Sequence, residues 1–171
     1  MKCRVMLARF PGGFSEHPSS SSWVMDTLIK CGATRCIQRT KDFRRYACEH
    51  PKIAEVISWW VSDTPITMVR NRCVEAAQQL EVDYLLMIDS DMDPDQGPNP
   101  FWDTAFDWIF QRPQPAAIAA PYVGPGLHQN IYVFRWRNKT NWRPVDFSLD
   151  QFTREEAAER GGIEQVAALP T

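Results

Sequence analysis

Tyr84-Leu85-Leu86-Met87-Ile88-Asp89-Ser90-Asp91 is the stretch on which the fold reading turns. Five consecutive apolar residues predict a strand buried on both faces of a sheet, and that strand delivers two aspartates at its carboxyl end. Upstream, Thr64-Pro65 opens a helix expected to reach Leu80, because Thr caps free N–H groups and Pro is preset for the first helical position. Residues 53–61 have strand composition and end at Ser62-Asp63. Further back, Val5-Met6-Leu7-Ala8 reads as a buried first strand stopped by Pro11-Gly12-Gly13. Between them Trp23, Val24, Thr27, Leu28 and Cys31 share one helical face, with Gly32 as the stop. The basic segment 35–45 fits neither period.

Downstream, residues 101–110 read as an amphipathic helix and 116–123 and 131–136 as strands. Thr153-Arg154-Glu155-Glu156 is a capping box for a short helix ended by Gly161-Gly162, and 163–169 is strand-like. Strands alternating with helices predict an α/β three-layer sandwich with a mainly parallel central sheet. Ligands on such sheets bind at the carboxyl ends of the strands, which points to the residues after Leu7, Val61, Ile88 and Val123.

Composition narrows the class. The 171 residues, 44% hydrophobic with seven Trp and nine Phe, suit one folded domain rather than a disordered chain. A net charge of −2 argues against nucleic acid as a partner gripped by bulk positive charge; any such contact would have to come from a local patch. No apolar run approaches the roughly 20 residues of a membrane span, and the charged start does not resemble a signal peptide. Five cysteines without paired spacing fit a reducing, cytoplasmic setting. Cys31, Cys36, Cys48 and His50 match no standard zinc spacing.

The chemistry concentrates in Asp89-Ser90-Asp91-Met92-Asp93-Pro94-Asp95. Side chains alternate along extended backbone, so Asp89 and Asp91 project the same way. Two carboxylates so close favour a cation between them, and hard oxygen donors select Mg²⁺ or Mn²⁺. An EF-hand loop counted from Asp89 would need Gly and Glu where Pro94 and Pro100 stand, so that reading fails. A haloacid-dehalogenase-type phosphohydrolase also uses Asp-x-Asp after a strand, but on its first strand. A nucleotide-sugar glycosyltransferase uses it to bridge a metal and the donor diphosphate.

The run Asp63-Thr64-Pro65-Ile66-Thr67-Met68-Val69-Arg70-Asn71-Arg72, followed by Asp83 to Met92, resembles the nucleotide-binding half of GT-A fold glycosyltransferases, particularly family 2-like members. In those an acidic residue ends the second strand, an Arg-Asn pair lies on the next helix, and a hydrophobic strand ends in Asp-Ser-Asp. The resemblance implies a GT-A type sandwich, with 1–123 the nucleotide-binding half and 124–171 the start of an acceptor half. It implies a metal-dependent transferase taking a nucleotide-diphosphate sugar to an acceptor the sequence does not name. Asp91 would be a direct metal ligand, and Asp89 would hold the metal or the ribose beside Ser90. Asp63 would meet the nucleobase, while Arg70 and Asn71 would order the site beside the diphosphate. The first strand departs from the family by ending in Ala8-Arg9-Phe10-Pro11-Gly12-Gly13. Arg9 and Pro11 there complete the nucleotide-sugar set, Arg9 as a charge for phosphate. A nucleotidyltransferase or phosphohydrolase using the same aspartates, and a non-catalytic nucleotide-sugar binding module, stay open as alternatives.

Weaker features remain. The run 135–143 mixes cations with Trp136 and Trp142, and His128 follows the Val123 strand. No residue stands out as the general base among Asp146, Asp150, Glu155, Glu156, Glu159 and Glu164. At 171 residues the chain is expected to be the N-terminal portion of a longer enzyme or a reduced form of one.

Overall fold

The computed structural model describes residues 2–10, 18–61, 65–89, 101–111, 134–136, 149–151, 155–156 and 159. Two units divide the chain, Met1–Gln96 and Gly97–Thr171. The first contains β1 (Cys3–Phe10), α1 (Pro18–Lys30), β2 (Ala33–Arg39), β3 (Phe43–Cys48), β4 (Ile53–Trp60), α2 (Ile66–Gln79) and β5 (Tyr84–Asp89). Its five strands form one sheet in the order β2-β3-β4-β1-β5.

The mainly parallel three-layer sandwich of GT-A type expected from the sequence is not what forms. β1 pairs in parallel with β4 and β5, whereas β3 pairs antiparallel with both β2 and β4, so the sheet is mixed. The cause is the basic segment that fitted no period. Residues 35–45 fall in the hairpin β2–β3, closed by a tight turn rather than by the helical crossover that a parallel neighbour requires. In the turn, Thr40 Oγ1 accepts hydrogen bonds from the N–H groups of Phe43 at 3.0 Å and Asp42 at 3.3 Å, fixing the hairpin tip.

β1 lies between two parallel neighbours, and Val5, Met6, Leu7 and Ala8 are all fully buried. β5 was expected to be buried on both faces, but only Ile88 is buried and Tyr84 to Met87 are partly exposed. β5 ends the sheet order, so one side of it has no strand neighbour among the described residues.

Residues in register across the strands share a face, which sorts the sheet into two surfaces. One carries Met6, Ala8 and Phe10 with Ile57, Trp59, Leu85 and Met87. The helix α2 packs there, with Val69, Cys73 and Ala77 at four-residue spacing buried against Met6, Ala8, Phe10, Ile57 and Val61. Each fully buried side chain of valine size contributes roughly 1.5–3 kcal/mol of transfer free energy. The helix begins one position later than the sequence suggested. Pro65 is the N-cap residue itself, with φ −76° and ψ 163°, and no side chain caps the first turn.

The opposite face carries Val5, Leu7 and Arg9 beside Val56, Ser58 and Trp60. Cys31, just after α1, lies near Cys48 and Cys3 on this face, so the end of α1 is placed here, with Trp23, Val24, Thr27 and Leu28 buried along the helix. The chain leaves α1 through Gly32 at φ +67°, where a Cβ would stand 2.9 Å from the His50 nitrogen. Only glycine accepts both conditions.

A polar ladder crosses the sheet at the amino end of β1. Arg45 donates to Glu55 from Nε at 2.6 Å and from Nη2 at 2.9 Å, and also to Gln38 Oε1 at 3.1 Å. Arg4 Nε stands 3.8 Å from the same Glu55, and the Arg4 N–H donates to Asp83 at 2.7 Å. The hairpin is thereby tied to β4 and β1.

The second unit contains α3 (Phe101–Gln111), β6 (Phe134–Trp136) and β7 (Leu149–Gln151). The rings of Phe106 and Phe110, one turn apart on α3, lie 5.5 Å apart between centroids. β6 pairs antiparallel with β7, so the strand expected over 131–136 is described over its last three residues.

Candidate functional site

The carboxyl ends of β4, β1 and β5 line up along one edge of the sheet. Arg9 is in register with Trp60 on one side and Ile88 on the other, and Phe10 is in register with Asp89. Phe10, Val61, Val69 and Cys73 form one buried cluster beneath this edge. It anchors the first half of α2 against the strand ends, and Arg70 follows directly from Val69.

Asp89 shares the α2 face of the sheet, and Arg70 Nη2 reaches its Oδ2 at 3.4 Å. Both side chains keep about a third of their surface in water, 32% for Arg70 and 38% for Asp89. An exposed pair at this length is weak, worth at most about 1 kcal/mol, so both groups are available to a ligand. Asn71, next along the helix, is exposed and makes no hydrogen bond to either of them.

Arg9 lies on the opposite face from Asp89 and Arg70. Its guanidinium stacks 5.0 Å above the Trp60 ring centroid. The set expected from the sequence is thus split: Arg70 and Asp89 meet, Asn71 is near but unengaged, and Arg9 belongs to a separate aromatic–cation pair. Trp60 was missed as a partner for Arg9. The doubled Trp59-Trp60 at the end of an apolar strand was the available signal, since alternation must send one ring to each face. Pro11, Asp63, Ser90 and Asp91, together with His128 and the 137–143 part of the basic–aromatic run, lie outside the described residues.

The nearest thiol is no nucleophile. Cys73 is fully buried in the cluster under the edge, and burial pushes its pKa up from 9.0 to about 11. All five cysteines are free. Among the described residues no group of three His, Cys, Asp or Glu side chains is arranged to hold a metal ion. Asp89 nonetheless offers the donor chemistry a hard cation requires: a carboxylate at a strand end, only partly occupied by Arg70.

No protein-family model matches this chain, and neither the curated proteins nor the solved structures contain a significant match. No helix among the described residues is long and apolar enough to cross a membrane.

Proposed function

We propose that this chain is a cytoplasmic, metal-dependent glycosyltransferase that takes a sugar from a nucleotide-diphosphate donor. The observation that carries the reading is the Arg70–Asp89 contact at the carboxyl end of β5. A carboxylate and a guanidinium side by side are the two groups that a metal-bound diphosphate needs from the protein. Asp89, with Asp91 two residues on, would hold Mn²⁺ or Mg²⁺, which neutralises charge on the departing nucleoside diphosphate. Arg70 supplies charge-assisted hydrogen bonds to phosphate oxygens, and leaving a weak exposed pair costs it little. The motif likeness to family 2-like transferases over 63–92 supports the same assignment, although the sheet is mixed.

Calorimetry with UDP, GDP and their sugars, with and without Mn²⁺, tests the reading. Metal-dependent binding that Asp91→Ala abolishes is expected, together with slow donor hydrolysis. Binding without any hydrolysis or transfer would make the chain a nucleotide-sugar binding module, and no nucleotide binding would end the proposal.

A further inference from the structure

The hairpin tip carries charge that the site at β5 does not use. Because β2 runs in the same direction as β4, the tip at residues 40–42 lies at the same edge of the sheet as Trp60 and Phe10. Its two strands, β3 and β2, stand three and four intervals from β5, roughly 14–19 Å at about 4.8 Å per interval. Arg39 and Arg44 are directly opposite each other in the β2–β3 register, and Lys41 sits in the turn between them. All three are exposed, and none makes an ion pair with a described residue. Like charges opposed across a strand pair are destabilising, and Asp42 is the one acidic residue in the segment 33–48.

The register also fixes which face these arginines share. Arg44 is opposite Ser58, with Tyr46 two residues along β3 and Trp60 two residues along β4 on that same face. Both rings are partly exposed, and Trp60 already holds a planar cation, Arg9, on its π-surface. Asp89 and Arg70 belong to the other face.

We propose that this tip, Arg39, Lys41 and Arg44 flanked by Tyr46 and Trp60, is a binding surface for a single strand of nucleic acid. Clustered cations meet the phosphates, and the flanking rings give bases a stacking platform that a polyanion without bases cannot use. The net charge of −2 is an average that conceals the patch. The proposal stands independently of the transferase reading, because it uses the opposite face and none of the same residues.

The test is fluorescence anisotropy of the whole chain with a labelled oligothymidylate at a series of salt concentrations, without divalent metal. Three phosphate contacts predict a log–log salt slope of about −2 for a single strand. The triple substitution R39Q/K41Q/R44Q should lower affinity at least about tenfold and bring the slope toward zero, with the circular dichroism spectrum unchanged. Tyr46→Leu should lower affinity about tenfold while leaving the slope intact. The proposal is overturned by equal affinity for polyglutamate of matched charge, by a slope that the triple substitution leaves in place, or by displacement of the oligonucleotide by UDP with Mn²⁺. Binding to phosphatidylserine vesicles but not to the oligonucleotide overturns it as well.

Discussion

Arg70 Nη2 stands 3.4 Å from Asp89 Oδ2, joining the first half of α2 to the last residue of β5 across 19 positions of sequence. The contact is exposed on both sides, so its role in stability and its role in binding separate. Asp89→Asn should change unfolding free energy by less than about 1 kcal/mol in urea titrations. The same substitution, or Arg70→Ala, should weaken Mn²⁺-dependent binding of UDP by tenfold or more, on the scale of a lost charge-assisted contact of about 1.5–3 kcal/mol. A large stability loss without a binding loss would make the pair structural.

Glu55 is the centre of the ladder that ties the hairpin to β4 and β1. Its bidentate bond with Arg45 is better shielded and shorter than the Arg70–Asp89 contact, and that hydrogen bond raises the pKa of Arg45 above its usual value. Glu55→Ala should destabilise the chain by about 1.5–3 kcal/mol, because Arg45 loses both of its bonds to the carboxylate while half-sheltered. Arg4→Ala, removing the 3.8 Å contact to Glu55 and the 3.4 Å hydrogen bond to the Glu81 carbonyl, should be milder. Urea midpoints of the two variants measure the difference.

At Gly32, alanine would meet a left-handed backbone and the His50 nitrogen together. Gly32→Ala is expected to lower stability by about 1–3 kcal/mol, read from thermal denaturation. Conformation and contact act in the same direction, so no gain from a stiffer unfolded chain should offset them.

The thiols give a pH-dependent prediction. A cysteine in the unfolded chain releases its proton near pH 9.0, while Cys73 and Cys3, each shifted chiefly by burial, hold theirs to about 11. Between those values the unfolded state binds fewer protons than the folded state, so stability falls as pH rises, and Cys31, pushed up further by its own burial, carries the fall beyond that range. Cys73→Ala should make the fall shallower, whatever it does to the absolute stability. At pH 8 a thiol reagent should react quickly with one cysteine, the exposed Cys36, and Cys36→Ser should remove that fast phase.

How much of this was readable beforehand follows from burial. β1, β4, α2 and β5 announced themselves because Val5 to Ala8, Ile53 to Trp60 and Val69-Cys73-Ala77 must hide apolar surface, and that leaves a period in the sequence. β2 hides almost nothing: every residue from Thr34 to Arg39 is exposed, so no alternation marks it. With the hairpin unseen, the expected sheet was parallel. That the strand ends share one edge was legible from sequence alone, but the split of Arg9 from Asp89 needed the inter-strand register, which apolar runs do not encode.

β4 is paired in parallel along one side and antiparallel along the other. It therefore acts as a shared ruler. The register that sets Trp60 beside Arg9 also sets Ser58 beside Arg44 and Glu55 within reach of Arg45, so a slip of β4 by one residue would displace the aromatic pair, the cationic tip and the polar ladder together. Selection on any one of the three holds the other two in place.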